Sequence, residues 1–346
     1  MTTNVTRRQL GGLAAATLAM PAIAQGKTKL VVVMSSFDLL FWGTLTAKQL
    51  GYFDQLGLDI ELVRAGGGAR SLAAVAGGDA QFNVGAPASA LRARARGSDV
   101  MLISPAVAQY IDNITMSAAW AQKNNITPAS SLEARMKALK GMTVAVSSVG
   151  AGADQLLRFL AKRAGIDPDR EMTITAIAGG ENMMAAFMRG RIDGFVVPPP
   201  TGDDAVKNHG ARPLIWPGRG EVPELNGFVY IGVIARESWL KQNRDTAARF
   251  LRGQQMAFDT IHDPARTAGA RDAVWTGFQQ RIEKAMFDEI WAAAVPVYPK
   301  SVAVDQAMVD RIVDFVNETV PEPIDRTVAQ TGWSNDYAAA ALAART

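Results

Sequence analysis

The chain is built on one repeated unit: a short β-branched run, a loop of small residues, then an amphipathic helix. Its clearest instance is Met142–Leu160. Thr143-Val144-Ala145-Val146 reads as a buried strand and Ser147-Ser148-Val149-Gly150-Ala151-Gly152 as the loop, while Leu156, Leu157, Phe159 and Leu160 mark the apolar side of the helix. Small residues at such a junction leave backbone N–H groups uncovered at the positive end of a helix dipole. That makes a seat for an anion or for the polar edge of a ligand. A plain strand–helix turn of a doubly wound sheet has the same sequence, so the surrounding chain must separate the two readings.

Ahead of this unit, Lys29–Met34, Leu58–Arg64, Gln81–Val84 and Val100–Val107 read as strands. Helices are expected over Leu39–Leu50, with Asp38 as the cap, around Arg70–Ala76, and from Pro87 through Arg96, where proline suits a first turn. Gly51–Gly57 reads as a turn, and Gly66-Gly67-Gly68 opens the second helix. This is the pattern of an open, mainly parallel sheet covered on both faces. The chain then crosses over near Asp112–Ala119, and Ile126–Leu139 is linker-like, with a helix start at Ser130–Glu133. A second α/β series runs through strand Thr143–Ser147, helix Ala153–Ala164, strand Met172–Ile177, helix Asn182–Arg189 and strand Gly194–Val197. Lys207–Ile215 holds a helix end and a short strand, and Phe228–Ala235 is another strand and the return crossing. From Glu237 the pattern is helical: Glu237–His262, Arg266–Gln280, Lys284–Val295, Val304–Asn317 and Asp336–Ala344. The expectation is an α/β protein of two doubly wound lobes, residues 27–113 with 228–346 and residues 114–227, joined by two crossover segments, with a helical C-terminal region. Such halves gather ligands at the carboxyl ends of their strands, across a cleft that two crossings allow to close.

Composition narrows the chemistry. The length of 346 residues suits two domains of ~150 residues each. The chain has no cysteine, which excludes disulfides, thiolate catalysis and cysteine metal sites, and its two histidines, His209 and His262, are too few for a His-rich metal site. Residues 1–24 read as an export signal: paired Arg7-Arg8, an apolar Gly11–Met20 and a small-x-small site at Ala22-Ile23-Ala24, with cleavage near Ala24. The arginine pair suits a twin-arginine signal or an ordinary Sec signal, and both lead to the periplasm. Without that leader the chain has 34 basic and 33 acidic residues, which gives no support to nucleic-acid binding. No later stretch of ~20 apolar residues exists to span a bilayer. Gly150-Ala151-Gly152 lacks the third glycine of a dinucleotide fingerprint, because residue 155 is Gln155, and no Gly-Lys-Ser/Thr makes a P-loop.

Several motifs then fall in order. Gly51-Tyr52-Phe53-Asp54 leads to Gly57-Leu58-Asp59-Ile60-Glu61, and Val75-Ala76-Gly77-Gly78-Asp79-Ala80-Gln81-Phe82-Asn83-Val84-Gly85 follows the glycine run. In the second half come Leu139-Lys140-Gly141-Met142-Thr143-Val144-Ala145-Val146 and Ala185-Ala186-Phe187-Met188-Arg189-Gly190-Arg191-Ile192-Asp193-Gly194. The ordered set resembles the SsuA/THI5-like (NMT1-like) periplasmic solute-binding proteins of ABC importers, over roughly Lys29 to Ala235, with a looser match at Thr331–Tyr337. The resemblance implies a type II periplasmic-binding-protein fold, a monomer that closes on a small organic ligand (a sulfonate, a carboxylate or a pyrimidine or aromatic compound), delivery to ABC permease subunits in the inner membrane, no cofactor and no catalysis.

The resemblance also places the ligand. It implies contacts from Ser36, Phe37 and Asp38 after the first strand and from Gly67 of the glycine run. Gly85, Ala86, Pro87 and Ser89 would follow the third strand. Ser148, Gly150, Ala151 and Gly152 would come from the second-lobe loop, and Pro198 from Val197–Pro200. No lysine or arginine falls in these loops, which favours a singly charged or neutral ligand, although Arg70 or Arg158 could reach in. Phe41 and Trp42 are expected in a helix core and Phe37 in the cleft. Tyr110 and Tyr230 lie near the crossings, as cleft or hinge residues. Asp193 reads as a turn residue, Arg92, Arg94 and Arg96 as a solvated face, and His209 as a helix-end surface residue. Two other functions stand beside the receptor. One is an enzyme like the fungal relatives that make a thiamine pyrimidine, whose cysteine-rich motif is missing here; the other is an exported sensor input for a membrane kinase.

Overall fold

The computed structural model describes residues 26–319 and 323–344. The expected leader at residues 1–24 and its cleavage site lie outside them. Ten strands form two five-stranded sheets. The first contains β1 (Thr28–Met34), β2 (Leu58–Arg64), β3 (Phe82–Gly85), β4 (Val100–Gln109) and β10 (Asn226–Arg236); the second contains β5 (Asn113–Met116), β6 (Thr143–Val146), β7 (Thr173–Ala176), β8 (Gly194–Val197) and β9 (Arg212–Ile215).

The sheets share a layout. The first runs β2-β1-β3-β10-β4 and the second β7-β6-β8-β5-β9. In each, three parallel strands come first: β2, β1 and β3 in one, β7, β6 and β8 in the other. An antiparallel strand follows in fourth place, and that strand is the one just delivered by a crossing from the other sheet, β10 or β5. The register is set by apolar strands buried on both faces: Val32, Val33 and Met34 of β1 and all four residues of β8 are buried.

Four of the five strands in each sheet run in one direction, as the strand–helix alternation predicts, and the differences lie in the pairing. Strand β4 does not pair with β3, because β10 enters between them. The segment Asn113–Met116, expected to be part of a crossing, is a buried strand pairing with both β8 and β9. Four residues are too short to show alternation, and only the sheet supplies their partners. The first crossing is therefore shorter than expected, residues 110–112, and the second, residues 216–225, precedes the strand in which it was expected. Gln109 ties them together, donating to Pro217 O at 3.2 Å and to Asn226 Oδ1 at 3.0 Å.

Helices cover both sheets. Gly152–Arg163 buries Leu156, Leu157, Phe159 and Leu160, the four residues that marked its apolar side. The expected helix Glu237–His262 is broken at Asn243 into Glu237–Gln242 and Arg244–His262. Arg266–Gln280 becomes Thr267–Val274 followed by one π-type turn, Trp275–Gln279. The Gly51–Gly57 turn contains a helical turn at Tyr52–Gln55. Phe250 of the long C-terminal helix stacks on Phe53 at 5.1 Å and on Phe82 at 4.2 Å, and so anchors that helix to the first sheet. Phe159 and Phe315, 5.2 Å apart, pack the second-lobe helix against the C-terminal region. Among the described residues no helix is long and apolar enough to cross a membrane.

Candidate functional site

The carboxyl ends of β1, β3, β6 and β8 face one cavity of ≈ 870 Å³, open solvent at its mouth included. That is the position of a small-molecule site in open α/β sheets. Eight of the expected residues line it: Ser36 and Asp38 after β1, Gly85, Ala86 and Ser89 after β3, Ala151 and Gly152 after β6, and Pro198 after β8.

The other five are placed elsewhere, each for a local reason. Phe37 turns outward, lining the groove outside the cavity, where its ring meets Phe278 edge-on at 5.3 Å. Pro87 is a buried first residue of the helix Pro87–Ala95. Gly67 and Ser148 meet each other across the lobes: a Cβ on Gly67 would lie 3.6 Å from Ser148 Oγ. Gly150 is fully engaged within the chain. Its N–H donates to Asp154 Oδ2 at 2.7 Å, and its carbonyl accepts from Ser89 Oγ at 3.2 Å and Gln155 Nε2 at 3.0 Å.

The Gly150 contacts change the reading of the strand–loop–helix unit. The positive end of the helix already has its anion, the buried carboxylate of Asp154. Arg158 Nε donates to that carboxylate at 3.0 Å and Arg158 Nη1 pairs with Asp169 at 2.7 Å, so this arginine does not line the cavity; nor does Arg70. Asp193 is a turn residue as expected, accepting from Thr143 N at 2.8 Å. His209 ends the helix Thr201–Asn208. Arg94 pairs with Glu237 at 2.7 Å, so its face is less free than its spacing suggested.

The wall also contains residues that the loops did not announce. Asp112 lies in the first crossing, 1% exposed, and Asn83 lies in β3, 2% exposed; both line the cavity. The signal was present in each case: a lone acid inside the apolar run Tyr110-Ile111-Asp112-Asn113-Ile114, and an amide inside the buried strand Phe82–Gly85. Tyr230 donates from its hydroxyl to Asp112 Oδ2, and its ring stacks on Tyr110 at 3.8 Å. Tyr110 in turn donates to Gly152 O at 2.6 Å, so the crossings and the second-lobe helix start form one contact chain. Tyr230 thus lines the cavity, and Tyr110, at the start of the first crossing, links it to the second lobe.

Two carboxyl groups dominate the electrostatics. Burial raises the Asp112 pKa from 3.8 to about 7; the Tyr230 hydrogen bond opposes the rise and the charge of Asp38 adds to it. Asp38 caps the short 3₁₀ turn Leu39–Phe41, accepting from Leu40 N at 3.1 Å and from the Ser36 hydroxyl. Burial raises its pKa to about 6 against those two hydrogen bonds and the charge of Arg64. Glycine is required at two close approaches, one between the lobes and one within the second lobe. A Cβ on Gly152 would lie 2.6 Å from Tyr230 Cε2, and one on Gly180 would lie 2.6 Å from Thr201 Oγ1.

Two five-stranded sheets with this shared order, joined by two crossings around a cavity at their strand ends, make the type II periplasmic-binding-protein fold. The chain belongs to the NMT1/THI5-like family, whose model matches residues 40–267. A protein from Bordetella bronchiseptica RB50 superposes with a TM-score of 0.79 at 16% identity, covering 92% of this chain and 98% of that one. The alkanesulfonate-binding protein SsuA from Xanthomonas axonopodis pv. citri, bound to MOPS, gives 0.68 at 16% identity, covering 90% and 99%. The desulfurization enzyme DSZB gives 0.58 at 13% identity, covering 92% and 100%, so the fold by itself does not divide receptors from enzymes. No curated protein matches the sequence.

Proposed function

We propose that this chain is the solute-binding component of an ABC-type importer. It is exported, is cleaved near Ala24, captures a small organic molecule between its lobes in the periplasm and presents it to permease subunits in the inner membrane. The observation that carries this reading is the cavity, which takes walls from both sheets and from the crossing that joins them. A ligand held by both lobes favours the closed arrangement over the open one, and a permease can read that difference. Cross-lobe contacts such as Ser89 Oγ to Gly150 O at 3.2 Å and Leu39 N to Pro199 O at 3.5 Å support this reading, since closure would bring such groups together.

The enzyme reading has less support. Among the described residues the cavity wall has no histidine, lysine or cysteine to act as base or nucleophile, and its acids are tied to Tyr230, Ser36 and Leu40 N. Thermal denaturation across a panel of small organic acids, amines and heterocycles tests the receptor reading. A ligand at ~100 times its dissociation constant adds about 2.7 kcal/mol to stability, which moves the midpoint by several degrees. A panel that moves the midpoint nowhere, with turnover of any member by the pure protein, would overturn it in favour of the enzyme.

A further inference from the structure

We propose that the cavity selects its ligand through a nitrogen donor group, an amine, amidine or guanidine, seated on Asp112, Asp38 and Asn83, and not through an acid group. The inference rests on the receptor reading above and deepens it by naming the chemical class of the ligand.

Three observations carry it. The first is the sign of the wall. Asp38 and Asp112 are its charged residues, and no lysine, arginine or histidine lines the cavity. Arg64, which lines the outer groove, bears on Asp38. An anion entering here would meet two acids and no counter-charge, while a cation would complete a pair.

The second observation concerns acceptors left without partners. Asp112 Oδ1 and Asn83 Oδ1 are both buried, and neither has a hydrogen-bond partner in the protein. Buried acceptors of this kind are normally satisfied. Because the protein supplies no donor, whatever fills the cavity must supply it. Asp112 accepts from Tyr230 through its other oxygen, which holds the carboxylate in place with Oδ1 unspent.

The third observation is that four hydroxyl donors of the wall are engaged inside the protein. Ser71 Oγ donates to Gly67 O at 3.2 Å, Ser89 Oγ to Gly150 O at 3.2 Å, Ser36 Oγ to Asp38, and Tyr230 Oη to Asp112. The helix start after β6 has spent the Gly150 N–H on Asp154. A sulfonate or carboxylate would lose those four donors, and the free hydroxyls of Ser35, Ser147 and Thr201 accept as readily as they donate. A group with two or three N–H donors matches the buried acceptors Asp112 Oδ1 and Asn83 Oδ1.

The test is isothermal titration at pH 7.5 with matched probes: benzamidine, benzoate, benzenesulfonate and the neutral benzamide, together with agmatine against adipate. Wild type is compared with Asp112→Asn, and with Asn83→Ala in case the first variant folds poorly. The expected result is 1:1 binding of a cationic probe at least tenfold tighter than its matched acid, weakened tenfold or more by either substitution. Binding of the acids or of benzamide without the cations would overturn the inference and leave the receptor reading standing. Cation binding unchanged in both variants would place the group elsewhere and overturn it too. Failure of all three classes to bind would count against the receptor reading itself, and the inference would fall with it.

Discussion

Replacing Gly152 by alanine should separate folding from closure. Gly152 opens the helix that forms one wall of the cavity, and its Cα faces the ring of Tyr230 on the other lobe. A methyl there would lie 2.6 Å from Cε2, 2.7 Å from Oη and 3.0 Å from Cζ. The ring cannot easily give way: it stacks on Tyr110 at 3.8 Å, and its hydroxyl is bound to Asp112. Overpacking of this kind costs about 1–3 kcal/mol. Here the cost falls on the closed arrangement alone, since opening separates the two lobes, and alanine in a first helical turn is otherwise harmless. A ligand that needs closure should therefore bind roughly 5- to 150-fold more weakly, at about 1.4 kcal/mol per tenfold. The ligand-free protein should melt within a degree or two of wild type. Calorimetric titration beside a thermal scan reads both quantities. Unchanged affinity would show that Gly152 and Tyr230 need not approach in the bound state, and the closure argument would fail.

Other expectations concern pH and packing. Asp112 holds a proton in the folded state up to about pH 7 and releases it near 3.8 when unfolded, so its contribution to stability is lost as pH rises through that window. The facing titratable groups are Tyr230, Tyr110 and Asp38, and all persist in Asp112→Asn. That variant should gain on wild type between pH 4 and pH 8, by up to about 4 kcal/mol at ~1.4 kcal/mol per unit, and a gain that shrinks with rising pH would reverse the sign argued here. Phe250→Ala should cost about 3–5 kcal/mol, because the ring is fully buried between Phe53 and Phe82; a loss under 1 kcal/mol in denaturant titration would contradict that packing. Asp193→Ala should cost about 1 kcal/mol through the lost bond from Thr143 N and leave ligand affinity alone, which a titration would check. Arg281→Ala removes an ion pair to Glu181 that is 85% and 71% exposed, and should change affinity by less than about fivefold.

Much of the fold was legible because its strands are short β-branched runs and its helices bury only one side. Leu58–Arg64 and Gly194–Val197 have the bounds that their β-branched runs predict. What local pattern could not supply was pairing. Asn113–Met116 is a strand only because β8 and β9 lie on either side of it, and β10 separates β3 from β4 for reasons that no window of sequence contains. The candidate site divides in the same way. Loops after strand ends lead to the cavity, so Asp38, Gly85 and Gly152 were legible from position. Gly150 was legible as a helix start but not as spent, since that depends on Asp154 four residues on. Asp112 escaped because it lies in a crossing, where a chain reads as linker until both sheets are in place.

Native mass spectrometry tests the central claim most directly: that one small ligand is held between the two sheets against Asp112. Wild type, Asp112→Asn and Gly152→Ala are each mixed with the panel compound that stabilises wild type most. The account predicts a 1:1 complex of wild type with a basic nitrogen compound, strongly reduced in both variants. Equal occupancy in all three proteins, or a complex formed only with an acid, would contradict it.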